Sequence, residues 1–214
     1  MRIIKEADIR KNEILDAAGI LFTEKGYDNT SVTDIMNAVG IAKGTLYHHY
    51  KSKEDILNAL IKRQTADIFF SAKKIADDKS IPVKERMIRT ILALHVDTEQ
   101  MEEQTMMEQL HKPQNTLMHE KTKKIIFQEV PPILADIVTK GVQQGIFDTA
   151  YPLEGMEMAL CYLDVMLDDN VFELKQPQRQ DKIQAFIYYL ERLLGVGEGE
   201  LAAFEEAFTG RQGE

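Results

Sequence analysis

The chain has no tryptophan, a single cysteine and only six prolines. Cys161 on its own excludes an intramolecular disulfide and fits a reducing compartment. As a packing element, a lone thiol reads as a small buried apolar side chain. No apolar run reaches the roughly 18 residues that a membrane span requires. No apolar segment follows the charges of Met1-Arg2-Ile3-Ile4-Lys5-Glu6, as an export signal would need. A cytoplasmic protein with no membrane partner is therefore expected. Sustained apolar/polar alternation is missing, so no sheet is expected. There is no glycine-rich phosphate loop and no serine in a nucleophile elbow, so neither an enzyme nor a cofactor is expected. His95, His111, His119 and Cys161 show no recognised ligand spacing, and no metal site is expected.

What is present is helical periodicity. Hydrophobic residues make up 44% of the chain, enough for a packed core. Ile14, Leu15, Ala18, Leu21 and Phe22 form one stripe, closed by Gly26. Further on, Val83, Met87, Ile88, Ile91, Leu92 and His95 form another, and Ile133, Leu134, Ile137 and Val138 a third. Prolines fall where one periodic segment gives way to the next, and Pro131-Pro132 either kinks one long helix or separates two. The net charge of −9 is unevenly spread. Up to Arg63 there are ten Lys/Arg against nine Asp/Glu, and beyond it sixteen against twenty-six. A near-neutral head thus precedes an acidic body, and long-range steering toward a polyanion should be weak.

The richest segment is Thr30–Leu57, TSVTDIMNAVGIAKGTLYHHYKSKEDIL. Thr30 and Ser31 are helix-start residues, and Asp34 stands three after Ser31 as a capping box asks. Val32, Ile35, Met36 and Val39 recur at helical spacing. Ala38 is small where a second helix would cross, and Gly40 suits a tight inter-helix turn. The spacing predicts a short second helix over about Lys43 to His49. Ala42, Leu46 and Tyr50 fall on its inner face, His49 at the edge, and Gly44, Thr45, Tyr47 and His48 outside. Glycine, hydroxyl, phenol and imidazole on one outward face suit a helix pressed into a DNA major groove. Lys43 sits where a long cation and free backbone N–H groups favour a phosphate. Ser52-Lys53-Glu54-Asp55 then opens a support helix, and Ser52 and Lys53 could clamp a phosphate from the flank. Ser31 and Thr33, at the start of the first helix, complete the candidate DNA-binding set.

The pieces Ile14-Leu15-Asp16-Ala17-Ala18, Leu21-Phe22, Gly26-Tyr27, Thr30-Ser31-Val32, Ile35, Gly40-Ile41, Lys43-Gly44-Thr45-Leu46-Tyr47 and Tyr50-Lys51-Ser52-Lys53-Glu54 carry a resemblance. With this internal spacing they resemble the DNA-binding domain of the TetR family of bacterial transcriptional regulators. The resemblance covers about the first third of the chain. It implies an all-α fold with an N-terminal three-helix helix-turn-helix head over 8–68, its motif at about 31–50, and a larger helical ligand-binding and dimerisation body over 69–214. One departure is Ala42, where many members carry serine or another capping residue; the weaker cap costs about 1 kcal/mol.

The resemblance also implies a homodimer and an effector cavity. Leu153, Met156, Leu160, Leu163 and Leu167 form one stripe near the end of the chain, and Ile183, Phe186, Ile187, Leu190 and Leu194 another. Val165, Tyr188 and Tyr189 widen them beyond one face, as helices with both a core and a twin to cover would require. These ten stripe residues are the expected dimer interface. An unknown small-molecule effector is expected near His95, Met106, Met107 and Phe127. The function read from all this is a ligand-released repressor that binds double-stranded DNA as a homodimer on a near-palindromic operator. A DNA-binding adaptor answering to a protein partner is the alternative.

Overall fold

A computed structural model describes residues 2–94, 115–167 and 171–205, and among them every regular element is a helix. In chain order these are α1 (Arg2–Lys25), α2 (Val32–Val39), α3 (Lys43–His49), α4 (Lys53–Asp77), α5 (Val83–Leu94), α6 (Thr116–Gln143), α7 (Pro152–Met166) and α8 (Gln176–Leu194). The chain divides into two compact units. One comprises Met1–Asp67 with Asp97–Ile125, the other Ile68–Val96 with Ile126–Glu214. The division falls inside α4 and inside α6, so each of these helices contributes to both. A single cut after residue 68 omits Met118 and Ile125, which pack into the first unit's core.

In the first unit the periodic residues do what their spacing predicts. Ile14, Leu15, Ala18 and Phe22 of α1, Ile35 of α2, Leu46 of α3, and Ile56, Leu57, Leu60 and Ile61 of α4 are buried together. Each of the isoleucine, leucine and phenylalanine side chains contributes roughly 1.5–3 kcal/mol relative to exposure. The start of α2 is set by Ser31 alone. Its hydroxyl accepts from the Asp34 N–H (3.1 Å), and Asp34 Oδ2 accepts from the Ser31 N–H (2.8 Å). Thr30, expected to share that role, is instead buried, its hydroxyl donating to the carbonyls of Gly26 (2.8 Å) and Leu21 (3.1 Å). It ties the α1–α2 corner to the end of α1. Gly40 closes α2 at φ 71°, a left-handed conformation that a Cβ would strain. Ala38, expected at a close helix crossing, is exposed.

The second unit gathers Val83, Met87 and Ile91 of α5, Val130, Leu134, Ile137 and Val138 of α6, Met156 and Ala159 of α7, and the inner face of α8. Helix α6 runs through Pro131-Pro132 without a break. The pair removes two helical N–H donors, yet Val130, Leu134 and Ile137 are buried on either side and hold the segment in register. Gly141 lets Phe147 lie directly against the α6 backbone, where any Cβ would collide with the ring. The segment after α8 is fastened as well. Leu201 and Phe204 are fully buried, and the buried Glu191 carboxylate accepts from the Leu201 N–H at 2.9 Å. Lys84 pairs with Glu200 on the same side.

Burial within the chain divides the ten residues expected at a dimer interface. Met156, Ile183, Phe186, Ile187, Leu190 and Leu194 are 1–7% exposed inside their own unit. Leu160, Leu163 and Leu167 are half-buried against the same core. Of the ten, only Leu153 is exposed. The densest stripe of each amphipathic helix is claimed by its own core, and the weaker opposite face is left open. On α7 that face carries Leu153, Met158, Cys161 and Val165, and on α8 Tyr188 and Tyr189. Cys161 is thus an exposed surface residue, contrary to the buried position expected of it.

Candidate nucleic-acid interface

Helix α3 has seven residues and no side-chain cap at Ala42, so it cannot persist by helix propensity alone. Two side chains hold it. Leu46 is fully buried, and Tyr50, just past its end, is 7% exposed, its hydroxyl reaching the Lys11 carbonyl at 3.4 Å. Burial raises the Tyr50 phenol above its ordinary range. Ala42, expected on the inner face, is exposed because it lies ahead of the first helical turn.

The opposite side of α3 is open. Gly44, Thr45, Tyr47 and His48 are all exposed, Tyr47 at 44%. The structure thus brings these four together on one face, with Lys43 beside them and its ammonium 5.9 Å from the Tyr47 ring centroid. A Cβ added at Gly44 would meet nothing within 4 Å, so no contact inside the chain requires glycine there. His49 lies half-buried at the edge. Its pKa is lowered by loss of solvent, reinforced by the charges of His48, Lys11 and Arg10.

The flanking candidates divide. Thr33 is exposed on α2. Ser31 is exposed too, but its hydroxyl is engaged with Asp34 Oδ2 at 2.6 Å, and it serves first as a cap. Ser52 likewise accepts from the Asp55 N–H at 3.0 Å. Lys53 is engaged inside the head. Its ammonium donates to the Tyr27 carbonyl at 2.6 Å and sits 4.1 Å from the Tyr27 ring centroid, pinning the start of α4 to the α1–α2 corner. Desolvation raises the Tyr27 phenol, with Glu54 and Asp28 adding to it. Sequence reasoning passed over the neighbouring Lys51, an exposed cation at the same corner, although a lysine directly after the reading helix is a legible signal.

Of the expected effector residues, His95, Met106 and Met107 lie outside the described residues, and Phe127 is half-buried on α6. A groove of about 450 Å³ in the second unit is lined by different side chains, among them Phe69, Phe70, Glu129 and Ile133. Among the described residues no helix is long and apolar enough to cross a membrane.

A capped helix, a left-handed turn and a short second helix with a bare polar face make this a helix-turn-helix DNA-binding regulator, with an all-helical second unit. Residues 14–60 match the family model described as bacterial regulatory proteins, tetR family, and residues 96–188 match that of the tetracyclin repressor-like C-terminal domain. The chain belongs to the TetR family of transcriptional regulators. The HTH-type transcriptional repressor KstR2 of Mycobacterium tuberculosis is 26% identical over 152 residues, 68% of this chain and 73% of that protein. Among solved structures, the TetR family regulator PfmR of Thermus thermophilus is 28% identical with a TM-score of 0.52, over 86% of this chain and 98% of that one. FadR of Bacillus subtilis, in complex with stearoyl-CoA, shares the fold at 24% identity and a TM-score of 0.57, over 85% and 96%.

Proposed function

We propose that the protein is a ligand-released repressor that binds a near-palindromic operator as a homodimer in the cytoplasm. Two copies of α3 would enter successive major grooves, about one helical turn apart. The observation that carries this reading is the bare face of Gly44, Thr45, Tyr47 and His48 on a helix whose buried side is marked by Leu46 and Tyr50. Glycine at the centre of an approaching face admits the sugar-phosphate backbone, and Lys43 meets a phosphate. With no Arg, Asn or Gln from Ile41 to Tyr50, the face has few bidentate base readers, and DNA shape carries part of the specificity.

A second copy would pack along the outer faces of α7 and α8, through Leu153, Met158, Val165, Tyr188 and Tyr189. Their spacing gives each helix an apolar seam opposite its core. The second unit would hold a small molecule. FadR, whose fold is shared, supports only that a body of this kind can accommodate one. Release requires that the effector bind the DNA-incompetent state more tightly, by several kcal/mol.

Selection of duplexes from a random pool tests the proposal: a two-fold motif is expected, and failure to enrich any sequence counts against it. With the selected duplex, Lys43→Ala should weaken binding and reduce the salt slope by roughly one unit. An unchanged slope removes the phosphate contact.

A further inference from the structure

Helices α4 and α6 line the groove of about 450 Å³ in the second unit, a size that suits a small organic molecule. Its floor is apolar and fixed: Phe69 of α4 and Ile133 of α6 are half-buried and pack against the core of the unit. Its rim is apolar and open. Pro132 is exposed, and Phe70, at 72%, is the most exposed large hydrophobic side chain among the described residues. Charge is spread unevenly along the groove. At one end Lys140 ties the two walls together, its ammonium 2.6 Å from Asp136 of α6 and 3.6 Å from Asp77 of α4. Every other lining residue precedes Asp77 on α4 or Asp136 on α6. Counted in turns back from that end, α4 presents Lys73 and then the two phenylalanines, and α6 presents Ile133 and then Glu129. The cations therefore gather at one end, and Glu129 stands at the other. It is exposed, and among the described residues no cation pairs with it. Asp77, Glu129 and Asp136 are set against Lys73 and Lys140, so one negative charge is left over.

Size and charge select the occupant. One turn of a helix, 10–12 Å across and 5.4 Å long, fills roughly 500 Å³, so a partner's helix would outgrow the groove within a turn. An anion would meet the surplus carboxylate, and beyond Arg63 the chain carries twenty-six acidic residues against sixteen basic ones, a field that repels it further. A positive charge gains twice. It neutralises Glu129, and the faces of aromatic rings attract it within about 6 Å. The apolar floor and rim take the rest of the molecule out of water. We infer that the groove between α4 and α6 is a binding site for a hydrophobic organic cation, a protonated or quaternary amine on an apolar body. Glu129 would hold the charge, and Phe69, Phe70, Pro132 and Ile133 the body. This rests on the reading of the second unit as the part that takes a small molecule, and it names that molecule's chemical class.

The test uses the full chain and three probes that share a benzyl body and differ in charge: benzyltrimethylammonium, benzyl alcohol and phenylmethanesulfonate. Each is titrated calorimetrically at up to millimolar concentration. The cation should bind at least about fivefold more tightly than the alcohol, and the sulfonate more weakly than either. Glu129→Gln keeps the size of the side chain and removes its charge. It should erase the preference for the cation, leave alcohol binding unchanged and melt with the parent. Lys73→Met should act in the opposite direction and tighten the cation. Phe70→Leu keeps an apolar rim without a ring face, and should weaken the cation more than the alcohol. Glu154→Gln, an exposed carboxylate on α7 that is not part of the groove, should leave the preference intact. Equal binding of the three probes, binding of none, a preference that survives Glu129→Gln, or one that Glu154→Gln reduces equally overturns the assignment. Operator selection is run separately on ligand-free protein. Failure there would sink the DNA-binding reading without touching this result, and the converse holds.

Discussion

At the level of single residues, the buried and the open sides of α3 are made by different side chains. Gly44 gives the sharpest test. Alanine there removes backbone freedom from the unfolded chain and meets no neighbour within 4 Å, so Gly44→Ala should stabilise the head by roughly 0.5–1 kcal/mol. The same methyl group would stand between the helix and the DNA backbone, and operator affinity should fall. A variant that melts higher and still binds with full affinity would show that the helix does not approach DNA through this position. Leu46→Ala should do the reverse, costing about 2–5 kcal/mol through the cavity it leaves, and lose DNA binding only because the head unfolds. Most of this face was legible in the sequence, because a period of 3.6 residues fixes which side chains oppose Leu46. The role of Lys53 was not. Its partner Tyr27 is distant in sequence, and no local pattern shows that the ammonium folds back onto that ring and carbonyl.

At the level of elements, α2 depends on its capping box. Ser31→Ala should cost about 1 kcal/mol, read as a lower denaturation midpoint with an unchanged slope. The pH response of this cap has a defined sign. Bonds from Ser31 hold the Asp34 carboxyl below its ordinary value of 3.8, with a smaller contribution from Lys25. Its contribution to stability is therefore complete above that value and is lost as pH falls through the lower, folded-state pKa. Asp34→Asn should flatten this acid limb. His49 acts in a different window, since its folded pKa lies below 6.5. Stability of the head should decline as pH drops beneath 6.5 toward that lower value, because only the unfolded chain then takes up the proton. Thermal melts of His49→Gln across that range should lose the decline. The persistence of α6 through Pro131-Pro132 was not legible, because local rules allow both a kink and a break. Buried neighbours on either side of the pair decide it.

At the level of the whole molecule, the two apolar faces of α7 and α8 were visible as excess width in the pattern, but which face turns inward was not. Periodicity gives the angle between stripes and leaves their assignment to tertiary packing. Met158 and Tyr189, 62% and 63% exposed, now mark the outward side. Met158→Glu or Tyr189→Glu should shift the protein from dimer to monomer in sedimentation with little change in helicity, and weaken operator binding with it. Charge placed at Leu190 should instead unfold the second unit. A dimer unaffected by both outward changes would locate the twin contact elsewhere.

The way α3 is fastened has a consequence for how such a protein diversifies. Leu46 and Tyr50 keep the rod in place from behind, while the four side chains in front contribute almost nothing to holding it there. Those four positions can therefore drift without a folding penalty. A duplicated gene could acquire a new promoter by a few substitutions there, and its product would remain as well folded as the parent throughout the change.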